Sequence, residues 1–204
     1  MNKLVKDALI LTLITVIAGT ALGIVYEITK EPIKAASAAA TARAYATVFE
    51  SATDFEELEG FNSDNATALV QSAGFTTESI NNCVVAKDAN GALGYVFTVT
   101  TKAGYGGEIT FSVGITNAGV INGYSITSIS ETAGLGMKAR DTGDGTFSAQ
   151  FVNKNATIFE VTKGGAASDN QIDAISAATI TSKAVTNGVN ACVTYFNNLT
   201  GGAQ

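Results

Sequence analysis

The stretch Leu93-Gly94-Tyr95-Val96-Phe97-Thr98-Val99-Thr100 decides the fold, because β-branched and aromatic residues dominate it and alternate with a period of two. Three neighbours share that character: Cys83 to Ala86, Glu108 to Ile115, and Val120 to Ile129. Between them lie Asn90-Gly91 and Asn117-Ala118-Gly119, residues that tolerate positive φ and close antiparallel hairpins. A twisted antiparallel meander of four strands is therefore expected. A fifth strand is predicted at Thr157 to Thr162, with a short helix near Phe147 to Phe151 before it. The chain then changes period: Val185, Val189, Cys192, Val193 and Phe196 form one apolar helical face able to cover a sheet. The fold class is α+β, an antiparallel β-sheet packed with helices.

Upstream, residues 51 to 75 are polar and acidic, with Asp54, Glu56, Glu57 and Glu59, and read as loops and a short helix at a solvated face. Ile33 to Phe49, after the only proline, Pro32, is rich in strong helix formers. Ala8 to Tyr26 is nineteen residues without a charge, which as a helix spans roughly 28 Å and matches a bilayer's hydrocarbon core. Lys3 and Lys6 precede it, whereas Glu27, Lys30, Glu31 and Lys34 balance one another after it. The positive-inside bias then puts the N-terminus in the cytoplasm and the rest outside, as a single-pass protein of the cell membrane. A cleaved signal peptide is the competing reading, on the small-x-small triplet Ala36-Ser37-Ala38, but the apolar run is longer than a signal usually needs. The expected organisation is an anchor with its flank over 1–34, a helical and loop linker over 35–79, and one domain over 80–204.

Composition excludes several kinds of chemistry. The chain has no histidine, so neither a Ser-His-Asp nor a Cys-His unit can form. Two cysteines, Cys83 and Cys192, are too few for an iron–sulfur cluster. Twelve Lys and Arg stand scattered against 18 Asp and Glu, a net charge of −6, which argues against nucleic acid. Any redox carrier held by this chain alone must be organic.

Two segments break the local patterns. Glu131-Thr132-Ala133-Gly134-Leu135-Gly136-Met137 follows a predicted strand and lets backbone approach a ligand closely, although an isolated G-x-G is more often an ordinary turn. Asp173-Ala174-Ile175-Ser176-Ala177-Ala178-Thr179-Ile180-Thr181-Ser182 crowds hydroxyls and small residues at the start of the last helix. Free N–H groups and the helix dipole favour an anion there, so a phosphate fits without a basic patch. Read blandly, Ser176 or Thr179 is only an N-cap.

Together these segments resemble the FMN-binding domain of the G subunit of Rnf-type electron-transport complexes and of the related C subunit of sodium-pumping NADH:quinone reductases. The family's flavinylation motif D-x-x-[ST]-G-A-T is matched by Asp173, Ser176, Ala178 and Thr179, with Ala177 in place of glycine. Its E-T-P-G-L-G loop is matched by Glu131, Thr132, Gly134, Leu135 and Gly136, with Ala133 in place of proline. Gly104-Tyr105-Gly106-Gly107 looks like the family's glycine turn. The resemblance implies FMN held by a phosphoester to Thr179 and placed there by a flavin transferase. It further implies that Glu131, Thr132, Leu135 and Gly136 border the ring or ribityl chain, that the hydroxyls of Thr181 and Ser182 and the N–H groups of the helix start hold the phosphate, and that Gly134, Ser176, Ala178 and Ile180 belong to the same cofactor site. Electrons would be relayed to membrane subunits of an ion-translocating ferredoxin:NAD oxidoreductase, with no acid–base residue or metal site of the chain's own. The quinone-reductase subunit and a non-redox tethered binding module are the alternatives.

Overall fold

The computed structural model describes residues 2–201; Met1 and the expected end of the domain at residue 204 lie outside them. Contacts divide the chain into a unit ending at Ala40 and a larger one beginning at Thr41. In the first, helix α1 (Lys3–Val48) begins. It runs on through Pro32 with the loss of one backbone donor. It is the one helix among the described residues long and apolar enough to cross a membrane.

The larger unit starts with the last turns of α1 and continues through β1 (Asp54–Glu57), α2 (Ser63–Ser72), β2 (Glu78–Asp88), β3 (Gly91–Thr101), β4 (Ile109–Thr116) and β5 (Val120–Ser128). A 3-10 turn (Gly136–Arg140) and a second (Ser148–Phe151) lead to β6 (Lys154–Asn155), β7 (Glu160–Thr162), β8 (Gln171–Asp173) and α3 (Thr179–Leu199). The expected meander is β2 to β5, all antiparallel. β1 and β6 extend it at the two edges into a six-stranded sheet.

The structure differs from expectation in two places. The acidic segment, read as loops and a short helix at a solvated face, holds that helix as α2, whose Ala66 and Val70 nevertheless enter the main core, and adds a strand, β1, whose Glu56 pairs with Lys87 of β2. Its sparse apolar residues concealed the strand, since four residues of an edge strand need only one inward side chain. The predicted fifth strand is shorter and does not join the meander: β7 pairs in parallel with β8 as a separate ribbon. Asn190 of α3 explains its start, donating to the Phe159 carbonyl (2.9 Å) and accepting from the Phe159 N–H (2.8 Å), so that neither group is left for a sheet neighbour.

Period-two alternation sends side chains to both sheet faces. Phe97, Val99, Phe111 and Val113 meet Val185, Val189, Cys192 and Phe196 of α3 on one face, while Val84, Ala86 and Val96 meet Tyr45, Val48 and Phe49 on the other. Tyr45 Oη and Thr98 Oγ1 share a buried hydrogen bond of 3.0 Å, which satisfies both hydroxyls. α3 lies close to the sheet at Gly188, where a Cβ would come within 2.5 Å of the Phe111 ring. Cys83 and Cys192 are separate buried thiols. Burial pushes Cys83 up to about 12 and Cys192 well above the ordinary thiol range.

Candidate functional site

Three segments converge at one end of the sheet: the connection between β3 and β4, the loop that follows β5, and the start of α3. Glu131 joins all three. One carboxylate oxygen accepts the Gly106 N–H at 2.9 Å and the other accepts the Thr181 hydroxyl at 2.8 Å. Glu131 is only 8% exposed, so these bonds offset the desolvation of a carboxylate. The packing demands glycine at Gly136: a Cβ there would lie 2.6 Å from both Glu131 Oε2 and Thr181 Oγ1. The loop closes on itself through Thr132, whose carbonyl accepts from Leu135 and Met137, each at 3.2 Å.

At the start of α3, Ala178 occupies the N-cap position and supplies no side-chain acceptor. The backbone N–H groups of Thr179, Ile180 and Thr181 accordingly make no hydrogen bond among the described residues. The turn before them is held from inside: the Ile175 N–H donates to Ser182 Oγ, and Ser182 Oγ donates to the Ala178 carbonyl, both at 2.9 Å. Ala178 N–H donates to the Ile175 carbonyl at 2.9 Å. This winding puts Ala177 at φ 59°, the left-handed region where an alanine is strained and a glycine is not. Asp173 steadies the approach, with Oδ1 accepting from Thr162 Oγ1 at 3.1 Å and from the Gly165 N–H at 3.0 Å.

Between these segments lies a cleft of about 580 Å³, lined by Tyr105, Glu131, Thr132, Leu135, Gly136, Ala177, Ala178, Thr179, Ile180 and Thr181. That volume suits a small molecule or cofactor, for which roughly 300–1,000 Å³ is usual. Eight of the residues singled out in the sequence are thereby brought together, namely Glu131, Thr132, Leu135, Gly136, Ala178, Thr179, Ile180 and Thr181. Three are not among its lining. Gly134 shapes the exposed loop at φ 76°, Ser176 is exposed on the preceding turn, and the buried Ser182 hydroxyl is committed to backbone. Thr181's hydroxyl, expected beside a phosphate, is likewise committed, to Glu131; its N–H remains available. Tyr105 and Ala177 were not singled out as contacts. A tyrosine set between glycines was the available signal for the first, and the structure leaves it 71% exposed.

Residues 104–194, which contain every wall of this cleft, match the FMN-binding domain family. The chain is also 32% identical over 199 residues to the G subunit of the Na(+)-translocating ferredoxin:NAD(+) oxidoreductase complex of Acetobacterium woodii, covering 95% of this chain and 92% of that one. The chain belongs to the G-subunit family of Rnf-type complexes. A second G subunit, from the proton-translocating complex of Clostridium ljungdahlii, is 40% identical over 117 residues, or 57% of this chain and 60% of that one. The crystal structure of Shewanella oneidensis NqrC shares the fold, with a TM-score of 0.50 and 21% identity across 60% of this chain and 62% of that one. Ala133 and Ala177 fall on exposed turn positions.

Proposed function

We propose that this chain is a membrane-anchored flavoprotein subunit that carries FMN as a phosphoester on Thr179 and relays electrons within an ion-translocating ferredoxin:NAD oxidoreductase. The observation that carries this reading is the position of Thr179: first residue of α3, on the cleft wall, beside N–H groups with no partner among the described residues. Those amides and the positive end of the helix dipole suit a phosphate, and need no lysine or arginine to do so. The hydroxyls of Thr181 and Ser182 are both engaged, which favours Thr179 as the esterified group.

FMN would supply electron acceptance and donation, singly or in pairs. The residues of this chain would then orient it. Thr179 supplies the tether, the amides of Ile180 and Thr181 the phosphate contacts, and Tyr105, Leu135 and Ile180 an apolar rim, each with 39% or more of its surface exposed. A tether has a physical purpose outside the cytoplasm, where a dissociated flavin could not be replaced. α1 would be the single span, with the N-terminus cytoplasmic and the FMN domain extracytoplasmic. Partners are the complex's other membrane subunits and, for maturation, a flavin transferase. Near full-length likeness to the G subunit of a ferredoxin:NAD oxidoreductase complex supports this assignment.

Intact mass of the protein co-expressed with a flavin transferase tests the reading. The native chain should carry the mass of FMN less one water, and Thr179→Val should lack it. Retention of that mass by Thr179→Val refutes the assignment, and a colourless native protein refutes the flavoprotein itself.

A further inference from the structure

Glu131 is the only charged side chain lining the cleft among the described residues, and it has no cationic partner there. A carboxylate so buried is costly unless it is hydrogen-bonded, and each of its two oxygens has a hydrogen-bond partner here. As a knot between Gly106 and Thr181 it needs no charge, because a glutamine could accept from the Gly106 N–H with its oxygen and donate to Thr181 Oγ1 with its amide. The fixed negative charge therefore has a separate consequence. It lies in the wall of the cleft and is itself only 8% exposed, where Coulomb interactions are stronger than in bulk water.

Resting on the flavoprotein reading above, we infer that the Glu131 carboxylate is a positioning residue that sets the redox potential of the bound flavin. A negative charge in the cleft wall opposes the arrival of an electron and holds the potential low. The two hydrogen bonds keep the charge at one place and moderate it, so the Thr181 hydroxyl belongs to the same device.

Redox titration of the full-length flavinylated protein in detergent, followed by flavin absorbance, tests this. Glu131→Gln should retain the flavin while favouring the reduced form by about tenfold for a one-electron step, equivalent to a rise of about 59 mV. A change below threefold, a fall in potential, or loss of flavin from a folded Glu131→Gln protein overturns the inference. Thr181→Val provides a second measurement should Glu131→Gln fail to fold. It keeps the charge and removes a hydrogen bond that moderates it, so the potential should fall, and a rise overturns the inference. A native protein without flavin would instead defeat the parent reading, before either variant is compared.

Discussion

Ala177 stands at φ 59° on the turn that leads into Thr179, and its side chain is exposed, so replacing it changes backbone energy with little change in packing. An L-residue in the left-handed region costs about 1–2 kcal/mol that glycine avoids. Against this, glycine gives the unfolded chain more freedom, which costs about 0.4–1 kcal/mol. The midpoints, about 1.5 and about 0.7 kcal/mol, leave Ala177→Gly more stable by about 0.8 kcal/mol, a rise in Tm of roughly 2–3 °C for a domain of this size. Ala177→Val should move the other way, since branching at Cβ worsens the same clash. Thermal unfolding of the full-length protein in detergent, followed by near-ultraviolet circular dichroism, reads both. If Ala177→Gly leaves Tm unchanged or lowers it, the strain assigned to this turn is not there. The same substitution should increase the initial rate at which a flavin transferase loads the protein, because the attachment turn then reaches its geometry without strain.

Gly136→Ala puts a methyl 2.6 Å from Glu131 Oε2 and Thr181 Oγ1, so the knot must open; a loss of about 1–3 kcal/mol is expected in a urea titration, alongside weaker flavin loading. Cys83 is held protonated by burial, its pKa raised to about 12 from 9.0. The stability this contributes is complete below about pH 9 and is lost as pH rises toward 12, because the unfolded thiol releases its proton first. Cys83→Ala should flatten the alkaline limb of stability against pH between those values, and an unchanged slope there would contradict it.

What the residues determined locally was legible without the fold. The meander was readable because each strand carries its own period-two signal and each hairpin its own turn residues, as at Asn90-Gly91 and Asn117-Ala118-Gly119. The covering helix was readable from the single apolar face of Val185, Val189, Cys192, Val193 and Phe196. The two motif segments were visible as departures from those periods, and nine of their residues share one cleft. Where the apolar signal was weak, the pairing partner decided instead. β1 is a strand because β2 offers it an edge, and β7 begins a separate ribbon only after Phe159, whose backbone groups Asn190 takes. The motif resemblance singles out Thr179, but nothing in the order of residues says whether the neighbouring hydroxyls of Thr181 and Ser182 are free or engaged. Only tertiary structure decides that, by engaging the two with Glu131 and the turn backbone, because hydrogen-bond partners come from whatever the fold brings near and not from the neighbouring letters.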